Sequence, residues 1–92
     1  MKNMKTFKDL VFEPSESLLN GIKARIDFDN GYGASVIKNR FSYGGSAGFY
    51  ELGVTKDDEL HYDNPVANGD VIGWLEEEEV SKLLIEIQNL KD

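Results

Sequence analysis

The sequence predicts an α+β fold: an antiparallel β-sheet of four to five strands, a meander of hairpins, with one C-terminal α-helix packed on one face. Three patterns predict it. Apolar and polar residues alternate through residues 22–28 and again through 50–62, the period of a half-buried strand. From Val80 to Leu90 apolar residues recur at three- and four-residue spacing, the period of an amphipathic helix. The strands precede the helix, as in an α+β protein. With 92 residues the chain has room for one core, so residues 1–92 are read as a single α+β domain.

Each element has its own signal. Phe7, Leu10, Val11 and Phe12 form an apolar segment stopped by Pro14 and followed by the polar turn Ser15-Glu16-Ser17, and are read as a first strand. Ile22, Ala24, Ile26 and Phe28 alternate with Lys23, Arg25 and Asp27 in the clearest strand. At Asp29-Asn30-Gly31 the parity of the flanking residues selects a three-residue loop closed by a left-handed Gly31, because only that loop pairs Ile26 with Ala34 and Ala24 with Val36 on one apolar face. Residues 41–48 carry too much glycine for a regular strand and read as a flexible loop. Tyr50, Leu52 and Val54 resume the alternation, Lys56-Asp57-Asp58 is read as a second three-residue turn, and Leu60 and Tyr62 as a return strand of matching parity. Val71, Ile72, Trp74 and Leu75 make an apolar approach to the helix, whose first turn is Glu76–Glu79.

Charge is distributed unevenly. Residues 1–46 carry seven Lys/Arg against five Asp/Glu, residues 47–92 three against twelve, and the whole chain is −7. Phosphate backbones and anionic lipid surfaces repel such a chain, so direct nucleic-acid or membrane binding is not expected. An acidic face does suit a basic groove on another protein. The chain has no cysteine, which excludes disulfides and thiolate metal sites and fits a reducing cytosol. The basic N-terminus has no apolar run behind it, and no stretch approaches the roughly 20 apolar residues of a membrane span.

No residue constellation amounts to a catalytic signature, and no cofactor or metal is expected. The loop Tyr43-Gly44-Gly45-Ser46 lacks the Gly-Lys-Ser/Thr ending of a phosphate-binding P-loop. His61 is a lone histidine with no partner for a zinc site, read as structural or surface. Asp57, Asp58, Glu59 and Asp63 lack the ligand spacing of a calcium loop and read as a charged turn. Two sets remain as candidates for binding. The first joins the acidic residues Asp57, Asp58, Glu59, Glu76, Glu77, Glu78 and Glu79 to the loop and aromatic residues Tyr43, Gly44, Gly45, Phe49 and Trp74, since exposed aromatics anchor protein interfaces. The second is a basic ligand-binding set, Lys23, Arg25, Lys38 and Arg40 with Tyr43, and Tyr32 near enough to stack. Strand alternation alone also accounts for Lys23 and Arg25.

The segments Leu10-Val11-Phe12-Glu13-Pro14, Ala24 to Val36, Tyr50-Glu51-Leu52-Gly53-Val54, Val71-Ile72-Gly73-Trp74-Leu75 and the Glu-Glu-Val helix together resemble a group of small, acidic, uncharacterised proteins encoded by bacteriophages and prophages. The likeness spans most of the chain, and its motifs are structural rather than chemical. It implies a protein of the host bacterial cytoplasm that acts without catalysis. The leading expectation is inhibition of a host protein, a defence component such as a CRISPR-type complex, by steric and electrostatic occlusion. The alternatives are a sponge that sequesters a nucleotide signal between protomers, as in a homodimer, and a DNA mimic or phage accessory protein.

Overall fold

Register starts at the Asp29-Asn30-Gly31 turn. The computed structural model, which describes residues 4–15, 21–39 and 42–91, pairs strand β2 (Gly21–Asp27) with β3 (Tyr32–Lys38) so that Ala24 faces Val36 and Ile26 faces Ala34. This is the register that the three-residue loop predicts, and Gly31 closes it at φ +88°. Strand β4 (Tyr50–Lys56) continues the sheet beside β3, with Ala34 opposite Val54 and Val36 opposite Leu52. The short strand β1 (Glu13–Ser15) borders β2, while β5 (Glu59–Leu60) and β6 (Ile72–Leu75) share the far edge of β4. The sheet is antiparallel throughout, and a single C-terminal helix α1 (Glu77–Gln88) completes the α+β fold.

Period-2 alternation decides which side of the sheet the helix covers. Tyr32, Ala34, Val36, Tyr50, Leu52 and Val54 point to one face and are buried there with Val80, Leu84 and Ile87 of α1. Ala67 and Leu75 belong to the same core. The opposite face carries Lys23, Arg25, Asp27, Ser35 and the glycines Gly33 and Gly53, a common arrangement for an antiparallel sheet with one wet side. Among the described residues no helix is long and apolar enough to cross a membrane.

Asn30 ties the first hairpin to the end of the helix. Its Nδ2 donates to the carbonyls of Ile87, Gln88 and Leu90 at 2.8, 3.2 and 3.0 Å, and its Oδ1 accepts from the Tyr32 N–H at 3.0 Å. Those carbonyls belong to the helix end, where intrahelical partners run out. Replacing Asn30 by Ala removes this partner from the three carbonyls and from the Tyr32 N–H, and the expected loss is about 1–3 kcal/mol. Asn30→Asp keeps the acceptor but sets a carboxylate against the negative end of the helix, so it should lose at least as much. Urea unfolding of both variants checks this; midpoints equal to that of the unaltered protein would contradict it.

Two expectations are corrected. Phe7, Leu10, Val11 and Phe12 do not form a strand: Phe7–Asp9 is a 3₁₀ turn, and pairing starts only at Glu13. Asp9 Oδ2 accepts the Thr6 N–H at 2.8 Å and caps that turn. A three-residue spacing puts Phe7 and Leu10 on one side of a 3₁₀ turn, and the rings of Phe7 and Phe12 close on Tyr50 at 5.1 and 5.6 Å. The segment is laced to α1 by Phe7 N–H to Ser81 Oγ at 2.9 Å and by a reciprocal pair between the Lys5 backbone and the Gln88 amide. Of the polar turn expected at Ser15-Glu16-Ser17, Glu16 and Ser17 lie outside the described residues.

The second correction concerns the turn after β4. Lys56 pairs with Glu59, so the loop is the two residues Asp57 and Asp58, both left-handed at φ +53° and +68°. That is a type I′ hairpin turn, whose twist matches the strands. Shortening the loop by one residue flips the return strand. Leu60 therefore sits opposite Thr55 on the outer face and is half exposed, and Tyr62 is exposed as well.

Candidate functional site

A β-bulge next to the helix builds the most conspicuous surface feature. Leu75 pairs with Tyr50 and Ile72 with Leu52, so Gly73 and Trp74 together oppose Glu51. The extra residue bends the strand, and Trp74 takes up the bend at φ +58°. A bulky residue in the left-handed region is an outlier costing roughly 1–2 kcal/mol. Its indole is 61 % exposed all the same.

The glycine-rich loop is docked against this bulge, where the sequence read it as flexible. Tyr43 donates its N–H to Glu51 Oε1 at 3.0 Å, and its carbonyl accepts the Trp74 N–H at 3.1 Å. Gly45–Ala47 forms a 3₁₀ turn between two left-handed glycines, Gly44 and Gly48. Contact here is too close for side chains. A Cβ on Gly44 would lie 2.9 Å from Trp74 Cα and 3.0 Å from its ring, and one on Gly73 would overlap Tyr43 Cβ. The result is a patch of Tyr43, 55 % exposed, with Trp74 and the half-buried Phe49, whose ring centroid lies 5.8 Å from that of Trp74.

Gly73→Ala tests the docking. The new methyl should push the Tyr43 loop off the bulge and change the surroundings of Trp74, the sole tryptophan. Its fluorescence emission and acrylamide quenching read that change directly. Spectra matching those of the unaltered protein would show that the loop does not depend on this contact.

Two residues beyond Trp74 the chain enters α1 through Glu76, with Glu77, Glu78 and Glu79 in the first turn and Glu79 Oε1 accepting the Glu76 N–H at 3.0 Å. Between this turn and the end of β3 lies a groove of about 300 Å³, lined by Lys38, Gly48, Phe49, Tyr50, Glu76 and Glu77. The Lys38 ammonium stands over the Tyr50 ring, 4.7 Å from its centroid.

No family model, curated protein or solved structure matches this chain.

Of the sequence-derived sets, the fold brings together Tyr43, Gly44, Gly45, Phe49, Trp74 and the run Glu76–Glu79. Asp57, Asp58 and Glu59 are elsewhere, at the opposite end of β4, about 20 Å away by strand rise. The basic set is divided. Lys23 and Arg25 lie on the outer face, where Arg25 Nη2 meets Asp58 Oδ1 at 3.3 Å. Lys38 pairs with Ile22 and so projects on the helix side of the sheet, and Arg40 lies outside the described residues. Tyr32, expected to stack with that set, is buried on the inner face, with Lys56 Nζ 5.0 Å from its ring centroid. Tyr50 is likewise core.

His61 is tethered locally. Its Nδ1 lies 3.1 Å from Asn64 Nδ2, and its ring meets Tyr32 edge-on at 5.8 Å. The Asn64 Oδ1 accepts from Val66 and Ala67, which fixes the amide so that Nδ2 donates to the ring. Among the described residues no group of three or more His, Asp or Glu side chains is placed to hold a metal ion.

Proposed function

We propose that this protein is a non-enzymatic binding protein that covers a basic surface on another protein, with Trp74, Tyr43 and Phe49 as anchors and the start of α1 as the steering charge. The observation that carries this reading is the strained, exposed Trp74, at φ +58° in the bulge and packed closely against the docked glycine loop. Backbone strain of this kind clusters at functional sites, and an exposed aromatic already fixed in place loses little entropy on binding. A net charge of −7, concentrated in residues 47–92, which supply Phe49, Trp74 and the start of α1, favours a basic partner. The resemblance to phage-encoded proteins makes host nucleic-acid-binding defence proteins the first partners to test. Occlusion needs no reacting groups, only contact area and charge.

Charge and anchor roles separate experimentally. Glu77→Gln with Glu78→Gln should slow association and flatten its salt dependence while leaving dissociation nearly unchanged, because exposed charges act mainly on the encounter. Surface plasmon resonance of the captured host protein at 50–300 mM salt, a range of about one Debye-length halving, reads both rates. A salt dependence equal to that of the unaltered protein would remove the electrostatic half of the proposal.

A further inference from the structure

The geometry points to the groove between Lys38 and the start of α1 as a receptor for a guanidinium side chain, an arginine of the protein partner, with Lys38 filling part of it in the free protein. This assignment rests on the binding-protein reading and deepens it by naming what the partner inserts.

The groove combines the two elements of cation recognition. Ring faces attract a positive charge through their quadrupole, and carboxylates supply the countercharge. Two aromatic residues, Phe49 and Tyr50, and two acidic ones, Glu76 and Glu77, are among those that line the groove. The chain itself already places a cation there, since Lys38 Nζ stands over Tyr50. That ring is held in place by contacts with Phe7 and Phe12, whose centroids lie 5.1 and 5.6 Å from its own.

An ammonium is a compact charge, whereas a planar guanidinium stacks and at the same time bonds a carboxylate through its fork. Arginine is therefore the better occupant, and the flexible Lys38 stem can swing aside. Gly48 leaves the entrance open: it is left-handed at φ +91°, and nothing lies within 4 Å of where its Cβ would be. Phe49 also touches Trp74, so the groove runs directly into the anchor patch. A partner segment seated on Trp74 would carry its arginine into the groove.

An anionic ligand would need Lys38 for the opposite purpose, which makes Lys38 the discriminating residue. The test is an NMR titration of the ¹⁵N-labelled full chain with N-acetyl-arginine-methylamide and, separately, with inorganic phosphate. The arginine probe should shift the amides of Phe49, Tyr50 and Glu77. Lys38→Met, which keeps an apolar stem, should tighten its binding about two- to fivefold, and the exposed Glu77→Gln should weaken it by a similar factor. Silence at these amides, a response to phosphate alone, or weaker arginine binding by Lys38→Met would each overturn the assignment. Should Lys38→Met fail to fold, Glu77→Gln and the two probes still decide. A silent groove combined with Trp74-dependent partner binding would remove this inference and leave the binding-protein reading standing; a responsive groove without Trp74-dependent binding would do the reverse.

Discussion

Trp74→Asn is expected to keep the fold at or near its original stability while weakening partner binding on the order of 30- to 1,000-fold. Opposing terms nearly cancel in the folded protein. The indole loses its contact with Phe49, worth about 0.5–1.5 kcal/mol. Against that, asparagine tolerates the left-handed region, and relief of the Trp74 backbone outlier returns roughly 1–2 kcal/mol. In the complex nothing offsets the missing anchor, since buried tryptophans carry about 2–4 kcal/mol or more at interface centres. Thermal unfolding and binding should therefore come apart: a melting temperature within a few degrees, with affinity largely gone. A variant that unfolds readily would place Trp74 among the structural residues, and one that binds normally would end its role as an anchor.

Gly33→Ala should be a strongly damaging single-methyl change in the sheet, and more damaging than Gly31→Ala in the turn. A Cβ on Gly33 would overlap the Ile26 carbonyl oxygen and lie 2.7 Å from Thr55 Oγ1 and 2.8 Å from Asp27 Oδ1. Two of these neighbours are side-chain atoms that can rotate. The third is main chain in the adjoining strand and moves only if the β2–β3 ladder opens. Overpacking of this kind costs about 1–3 kcal/mol, and backbone involvement puts Gly33 at the upper end. Gly31 has open space around it but sits at φ +88°, so alanine there costs only about 1 kcal/mol in backbone strain. At about 4–8 °C per kcal/mol for a domain of this size, calorimetry should separate the two. The reverse order would mean that the strands relax around Gly33 more easily than the turn relaxes around Gly31.

The contrast between these glycines shows which parts of the fold were readable from residues alone. Gly31 announces itself because parity on both sides of Asp29-Asn30-Gly31 admits one loop length. Nothing in the neighbourhood of Gly33 marks it, since the clash comes from Ile26 and Thr55 on two other strands. At Asp57-Asp58 the usual glycine or asparagine of a two-residue hairpin is missing, and the alternation fits a three-residue loop as well. Local pattern gave no reason to prefer the shorter turn, and Leu60 and Tyr62 consequently emerged on the opposite face from the one expected. Lys38 is different, because its inward direction was available in the register: if Ala24 faces Val36, then Ile22 faces Lys38.

The candidate site divides in the same way. Tyr43, Phe49 and Trp74 could be named as candidate anchors from composition, and Glu76–Glu79 as a helix start from their position. Gly73 and Glu51, which hold the loop in place, were missed; a glycine directly before an aromatic in a short strand is the one available hint of a bulge. Periodicity along the chain determined the hairpin register at Gly31 and the buried stripe of α1, because these depend on residues a few positions apart, and composition alone determined the lopsided charge. Only the tertiary structure decided that Tyr32 is core while Tyr43 and Trp74 stay outside, and that Tyr43 and Phe49 are brought to Trp74 beside the start of α1. Those outcomes depend on surfaces some thirty residues apart, Tyr43 against Gly73, meeting closely enough to exclude a methyl group. Shape at that scale is set by how whole elements pack and leaves no period in the sequence.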